Sequence, residues 1–149
     1  MEVIMSRVST YLNFSRNTEE VFNFYKSVFG GELEGNIMRM GDMPPQEGQP
    51  PIAEEDKNLI MNVSLPIIGN HILRGGDTPK SMGLKLVQGN NYHITLEPDT
   101  LVETTLLFNT LSEGGKITMP LQKMFWGDYF GSCTDKFDVQ WMFNCSEKI

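Results

Sequence analysis

A helix signature that opens on a capping residue and closes on Gly-Gly occurs twice in this chain, the second copy starting 82 residues after the first, at Asp99 against Asn17. In the first copy Asn17 is placed to accept the orphan N–H groups of the first turn, and Glu20, three residues on, completes an Asn form of the capping box. Val21, Phe24, Tyr25, Val28 and Phe29 follow at helical spacing as one apolar stripe. Gly30-Gly31 then stops the helix, because glycine takes the left-handed conformation without steric penalty. In the second copy Asp99 or Thr100 is the cap and Glu103 lies three after Thr100. Leu101, Thr104, Leu107, Phe108 and Leu111 share the inner face, and Gly114-Gly115 ends the helix.

The surroundings of the two helices match as well. Strand-like sequence precedes the first at 8–14 and follows it at 32–40, 58–66 and 70–74, with a loop at 41–56 that holds four of the eight prolines. The second is preceded by 92–97 and followed by 117–124, 129–133 and 139–145. Each half therefore reads β-α-β-β-β. The offset drifts to 86 residues between Gly41 and Gly127, so the repeat is one of pattern rather than identity. A chain of 149 residues accommodates two such small units but not two separate enzyme domains. The expected fold is α+β: a single domain, 1–149, made of two βαβββ modules at 5–75 and 90–145 joined by a linker at 76–89. One helix over four strands covers one sheet face and leaves the other free to curve around a ligand. Two modules side by side predict one continuous mixed sheet with a concave, partly polar surface.

Charge narrows the function classes. Twelve Lys and Arg against nineteen Asp and Glu give a net charge of −7, with no basic patch, which excludes a nucleic-acid binder whose affinity rests on cations at phosphates. No apolar run approaches the roughly 20 residues needed to span a bilayer. The start carries an acid at Glu2 and runs directly into strand-like sequence, unlike a signal peptide, so a cytoplasmic address is expected. Cys133 and Cys145 flank a hairpin turn at 134–138; if 133 pairs with 139, Cys145 lies about 20 Å away, beyond disulfide reach. Both are read as buried, free, small hydrophobes. The three Gly-Gly pairs lack the spacing of phosphate-cradling loops, no G-x-S-x-G elbow occurs, and neither cysteine has a clear histidine partner.

The segments YLNFSRNTEEVFNFYKSVFGGE (11–32), MRMGDMP (38–44), GGKITMPLQKMFWGDYFG (114–131) and TDKFDVQWMFNC (134–145) resemble PhnB-type proteins. These belong to the vicinal oxygen chelate superfamily, with glyoxalase I, bleomycin-resistance proteins and extradiol dioxygenases. The resemblance implies the βαβββ modules read above, a small-molecule ligand and a symmetric homodimer. It also implies, in the metalloenzymes, a divalent ion held by His, Glu or Gln from the first, fourth, fifth and eighth strands. Carried over, the first-strand position falls on Thr10, or on Ser9 if the following turn is one residue longer. The longer turn is favoured because Leu12 and Phe14 then face the helix while Ser9, Tyr11 and Asn13 face the cavity. The fourth-strand position holds Leu73 or Arg74, the fifth His93, and the eighth Met142. One ligand of four survives, and no metal or other cofactor is expected. His71 is read as an exposed residue at a strand end, a weak candidate for a second imidazole.

The candidate ligand-binding residues are accordingly Tyr11, Asn13, Arg74, His93, Thr95, Glu97, Trp126 and Met142. Tyr11 and Asn13 offer a hydroxyl and an amide. Thr95 and Glu97 alternate with His93 and share its face. His93 is either a hydrogen-bonded histidine on a half-buried strand or a cavity group that binds ligand or moves a proton. Arg74 is either an exposed strand-end charge or a partner for an acidic ligand. Phe125 and Trp126 either wall a pocket or pack between modules, and Met38, Met40 and Met43 suit an adaptable lining. Two functions follow: a metal-free small-molecule-binding module, or a divergent lyase, isomerase or dioxygenase using His93 with Tyr11 or Glu97 as acid–base groups, or a divalent metal bound by another set of residues. PhnB-type relatives are also labelled demethylubiquinone methyltransferases, but the alternating α/β sheet and glycine-rich first turn of a nucleotide-type cofactor site are not visible.

Overall fold

The computed structural model describes residues 6–148, so Glu2 and the module boundary at residue 5 lie outside the described residues. The chain divides into two compact units, Met1–Leu86 and Val87–Ile149. The first contains β1 (Thr10–Phe14), α1 (Thr18–Phe29), β2 (Met38–Arg39), β3 (Ile60–Pro66) and β4 (Ile72–Asp77). The second contains β5 (Ile94–Leu96), α2 (Leu101–Ser112), β6 (Lys116–Lys123), β7 (Tyr129–Thr134) and β8 (Gln140–Cys145). The strand orders are β1-β4-β3-β2 and β5-β8-β7-β6, the same permutation twice, with a parallel pair (β1 with β4, β5 with β8) in otherwise antiparallel sheets. The βαβββ repeat is thus present. The strands pair as two four-stranded sheets rather than the single continuous sheet expected, each module's first strand pairing with its own last strand.

In the first unit α1 buries Thr18, Val21, Phe22 and Tyr25, so its inward stripe is rotated from the expected one: Phe22 is 1% exposed while Phe24, Val28 and Phe29 are half-buried. Its docking site explains the rotation. A Cβ on Gly75 would lie 2.5 Å from the Phe22 ring, so the bare backbone at that point of β4 admits the aromatic. Gly75 and Gly76 are therefore strand residues, and β4 runs to Asp77 through what reads in the sequence as the start of a linker. The expected strand at 32–40 shrinks to Met38–Arg39: Gly35 has φ 69°, and Glu34 makes a single bond to the Ser64 carbonyl before the chain turns away. Leu12 and Phe14 are buried further than Tyr11 and Asn13, which fixes the longer-turn register of the first strand.

The second unit follows its sequence more closely. Thr100 Oγ1 accepts the Glu103 N–H at 3.1 Å, and Thr104, Leu107, Phe108 and Leu111 are buried against the sheet. The 134–138 turn is a β7–β8 hairpin built around buried Asp135, which accepts from the Phe137 and Val139 amides and from Trp141 Nε1. Cys133 stands opposite Trp141 and Cys145 opposite Tyr129, four positions along the ladder, and both thiols are buried and free.

Candidate ligand-binding faces

Alternation divides each sheet into a helix-covered face and an open face. In the first unit Leu73 and Gly75 of β4 take the helix side, and Arg74 and Gly76 the other. The register sets Tyr11 of β1 and Ser64 of β3 on either side of Arg74, and Asn13 beside Gly76. Three of the sequence candidates, Tyr11, Asn13 and Arg74, thus stand together. Arg74 is mid-strand and half-buried rather than an exposed strand end, and its Nη1 donates to Ser64 Oγ at 3.0 Å. The Tyr11 hydroxyl donates to the Met61 carbonyl at 3.0 Å, laying the ring across the sheet. Gly76 makes that possible: a Cβ there would press on Tyr11 Oη and come within 2.6 Å of the Met61 oxygen. Burial, and then the Asp77 carboxylate, push the Tyr11 phenol above its ordinary value, while Arg74 draws it back. Ser64 and Gly76 are absent from the sequence candidates. The alternation Asn62-Val63-Ser64-Leu65 carried a signal for Ser64; nothing in a single sequence marks Gly76.

Ser9, the first-strand metal position in the longer-turn register, is exposed and precedes β1, while the alternative, Thr10, turns to His71. Thr10 pairs with Leu73 and its hydroxyl lies 2.8 Å from Nε2 of His71, which is half-buried and hydrogen-bonded rather than exposed. Leu73 is fully buried.

In the second unit Thr95 stands opposite Met142, and Met142 opposite Ser132, whose Oγ lies 2.7 Å from Thr118 Oγ1. These form the open face, since Trp141, Phe143 and Cys133 of the alternate positions are fully buried. β5 spans only Ile94–Leu96, so His93 and Glu97 lie just outside it and are exposed, rather than on a half-buried strand as expected for His93. Trp126 sits at the β6–β7 hairpin tip, half-exposed, edge-on to Phe125 at 4.9 Å and to Phe130 at 6.3 Å. Phe125 itself is 96% exposed. Burial pushes the Cys133 thiol up to about 12, which leaves it without nucleophilic thiolate at neutral pH.

Among the described residues no three His, Cys, Asp or Glu side chains converge as a metal site. A separate cavity of about 600 Å³ lies within the proline-rich loop of the first unit, lined by Met43, Pro44, Pro50, Ile52, Lys57 and Met82 among others. None of the eight ligand candidates reaches it. Of the three methionines singled out as lining, only Met43 does; Met40 is core and Met38 an exposed β2 residue. No helix of the described residues is long and apolar enough to cross a membrane.

Similarity to known proteins agrees with this architecture. A Pseudomonas aeruginosa protein, PA1353, has a crystal structure matching at a TM-score of 0.79, with 34% identity over 95% of this chain and 98% of that one. A PhnB protein from Bacillus cereus matches at 0.69 with 22% identity, covering 94% of this chain and 99% of its own. Protein YjdN of Escherichia coli strain K12 is 29% identical over 142 residues, 92% of this chain and 93% of YjdN. The sequence profile of one superfamily spans residues 7–143, and the chain belongs to it: the Glyoxalase/Bleomycin resistance protein/Dioxygenase superfamily.

Proposed function

We propose that this protein is a metal-free module that binds a small molecule on the open faces of its sheets. The observation that carries the reading is the set of polar side chains held on the open face of the first unit, Tyr11, Ser64 and Arg74, in register on three adjacent strands. Such convergent polar groups on an otherwise apolar scaffold are what orients a small ligand. The donor chemistry supports the absence of metal. The positions matching the family's ligands hold exposed Ser9 or Thr10 turned to His71, Leu73 buried under the helix or Arg74 bound to Ser64, His93, and Met142. A hydroxyl, a cation, a thioether and one imidazole do not fit a divalent ion that needs three or four imidazole or carboxylate donors. The reading includes a cytoplasmic protein and a two-fold homodimer, the commonest closed assembly, which light scattering on a sizing column checks.

Thermal shift against phosphonates, aromatic antibiotics and methylglyoxal adducts tests the binding. Stabilisation by one class is expected; none from any class counts against it. Elemental analysis of protein purified without an affinity tag tests the metal. No stoichiometric ion is expected, whereas one that disappears in His93→Ala overturns the metal-free reading.

A further inference from the structure

Among the described residues of the first unit, Arg74 is a half-buried cation with no ion pair. Arg16 reaches Asp56 at 2.6 Å and Arg39 reaches Glu19 at 2.7 Å, each a direct ion pair. Arg74, half-buried, faces no carboxylate: among the described residues its guanidinium makes a single side-chain bond, to the Ser64 hydroxyl. The nearest acid along its strand, Asp77, has the opposite parity and accepts from Thr18 and Ile60 instead. A guanidinium carries five N–H donors in a planar fork, so four make no hydrogen bond among the described residues. In a chain of net charge −7 an unpaired, half-buried guanidinium on a sheet face is a binding group in want of an anion.

Its neighbours are set for the same task. Ser64 Oγ accepts from Arg74, which leaves the serine O–H available to donate to a ligand. The Tyr11 hydroxyl donates its hydrogen bond to the Met61 carbonyl, so towards an anion the tyrosine supplies a flat apolar wall rather than a donor. We propose that Arg74 and Ser64 form an oxyanion subsite on the open face of the first unit, taking the carboxylate or phosphonate end of a small ligand whose apolar body lies along Tyr11. This rests on the small-molecule reading above and gives it a chemical class.

Titration calorimetry and amide chemical shifts with benzoate, phenylphosphonate and the neutral isostere benzamide test the subsite. Benzoate or phenylphosphonate is expected to bind and to shift the Ser64 and Arg74 amides, with benzamide at least tenfold weaker. The tighter of the two anions tells a carboxylate from a phosphonate subsite. Arg74→Met, checked for unchanged melting temperature, is expected to abolish the preference for the anion. Arg74→Lys keeps charge but loses the fork and falls between, and Ser64→Ala weakens binding a few-fold. If benzamide binds as tightly as benzoate, or Arg74→Met retains the anion preference, the oxyanion subsite is overturned while the small-molecule reading stands. If no probe, charged or neutral, perturbs the amides of this face, both fall.

Discussion

At Asp77 one buried carboxylate closes three otherwise orphaned donors: the Thr18 amide at 3.0 Å, the Thr18 hydroxyl at 2.7 Å and the Ile60 amide at 2.8 Å. The acid sits at the N-terminus of α1, where it also meets the positive end of the helix dipole. It therefore does the work that the sequence pattern assigns to Asn17, whose side chain makes no capping bond. Removing it leaves buried N–H and O–H groups unsatisfied, each worth roughly 1–3 kcal/mol. Asp77→Ala is expected to lower unfolding stability by about 3 kcal/mol in urea titration, and Asp77→Asn, which keeps one acceptor, by less. A loss below about 0.5 kcal/mol in the alanine variant would show that water replaces the carboxylate.

The two helices, alike in sequence, are fastened differently, and this sets a paired test at the level of the element. α2 is capped locally by Thr100 Oγ1 on the Glu103 amide, with Glu147 reaching the Leu101 amide at 2.9 Å. α1 is capped across the fold by the last residue of β4. Thr100→Ala is expected to destabilise by about 1 kcal/mol, and Asn17→Ala by only a few tenths, in matched denaturant curves. Equal losses would mean that Asn17 carries capping energy. The comparison also shows what could be read in advance. Periodicity and Gly-Gly stops gave both helices, and β-branched runs gave most strands, because those signals are local. The inward stripe of α1 escaped because Phe22 is admitted by Gly75, more than fifty residues away. β4 escaped at its end because Gly75-Gly76 reads as a linker until a partner for each missing side chain, Phe22 on one face and Tyr11 on the other, is known. The site divides along the same line: alternation brought Tyr11 and Asn13 to one face, whereas the bond between Arg74 and Ser64 depends on strand pairing that no local pattern states.

Across the whole chain the net charge of −7 is not spread evenly in its consequences. The guanidinium–carboxylate pairs at short distance, Arg16–Asp56 and Arg39–Glu19, lie in the first unit, while an ion pair of the second, Lys148–Asp128, is longer at 3.7 Å and its lysine largely exposed. Asp56 matters most, since it is buried and joins three separated segments: Arg16 follows β1, Asp56 closes the proline-rich loop, and Ser81, which also donates to it, follows β4. Hydrogen bonds from Ser81 and then Arg16 hold the Asp56 carboxyl below its ordinary value of 3.8, and Arg39 holds Glu19 below 4.5. A carboxylate whose value is depressed by folding contributes stability that is complete above its unfolded value and lost as pH falls through the folded one. The first unit is therefore expected to hold its stability from neutrality down to about pH 5 and to lose it progressively below about pH 4. The readout is hydrogen exchange at the amides of residues 54–60 together with urea midpoints over the same pH range. In Arg16→Met the carboxyl keeps Ser81 but loses its cation, so stability is lower at pH 7 and the further fall on acidification is smaller. Curves for the variant and the parent that run parallel from pH 7 to pH 3 would show that the Arg16–Asp56 pair contributes nothing to the acid response, and that the loop is held by its other contacts.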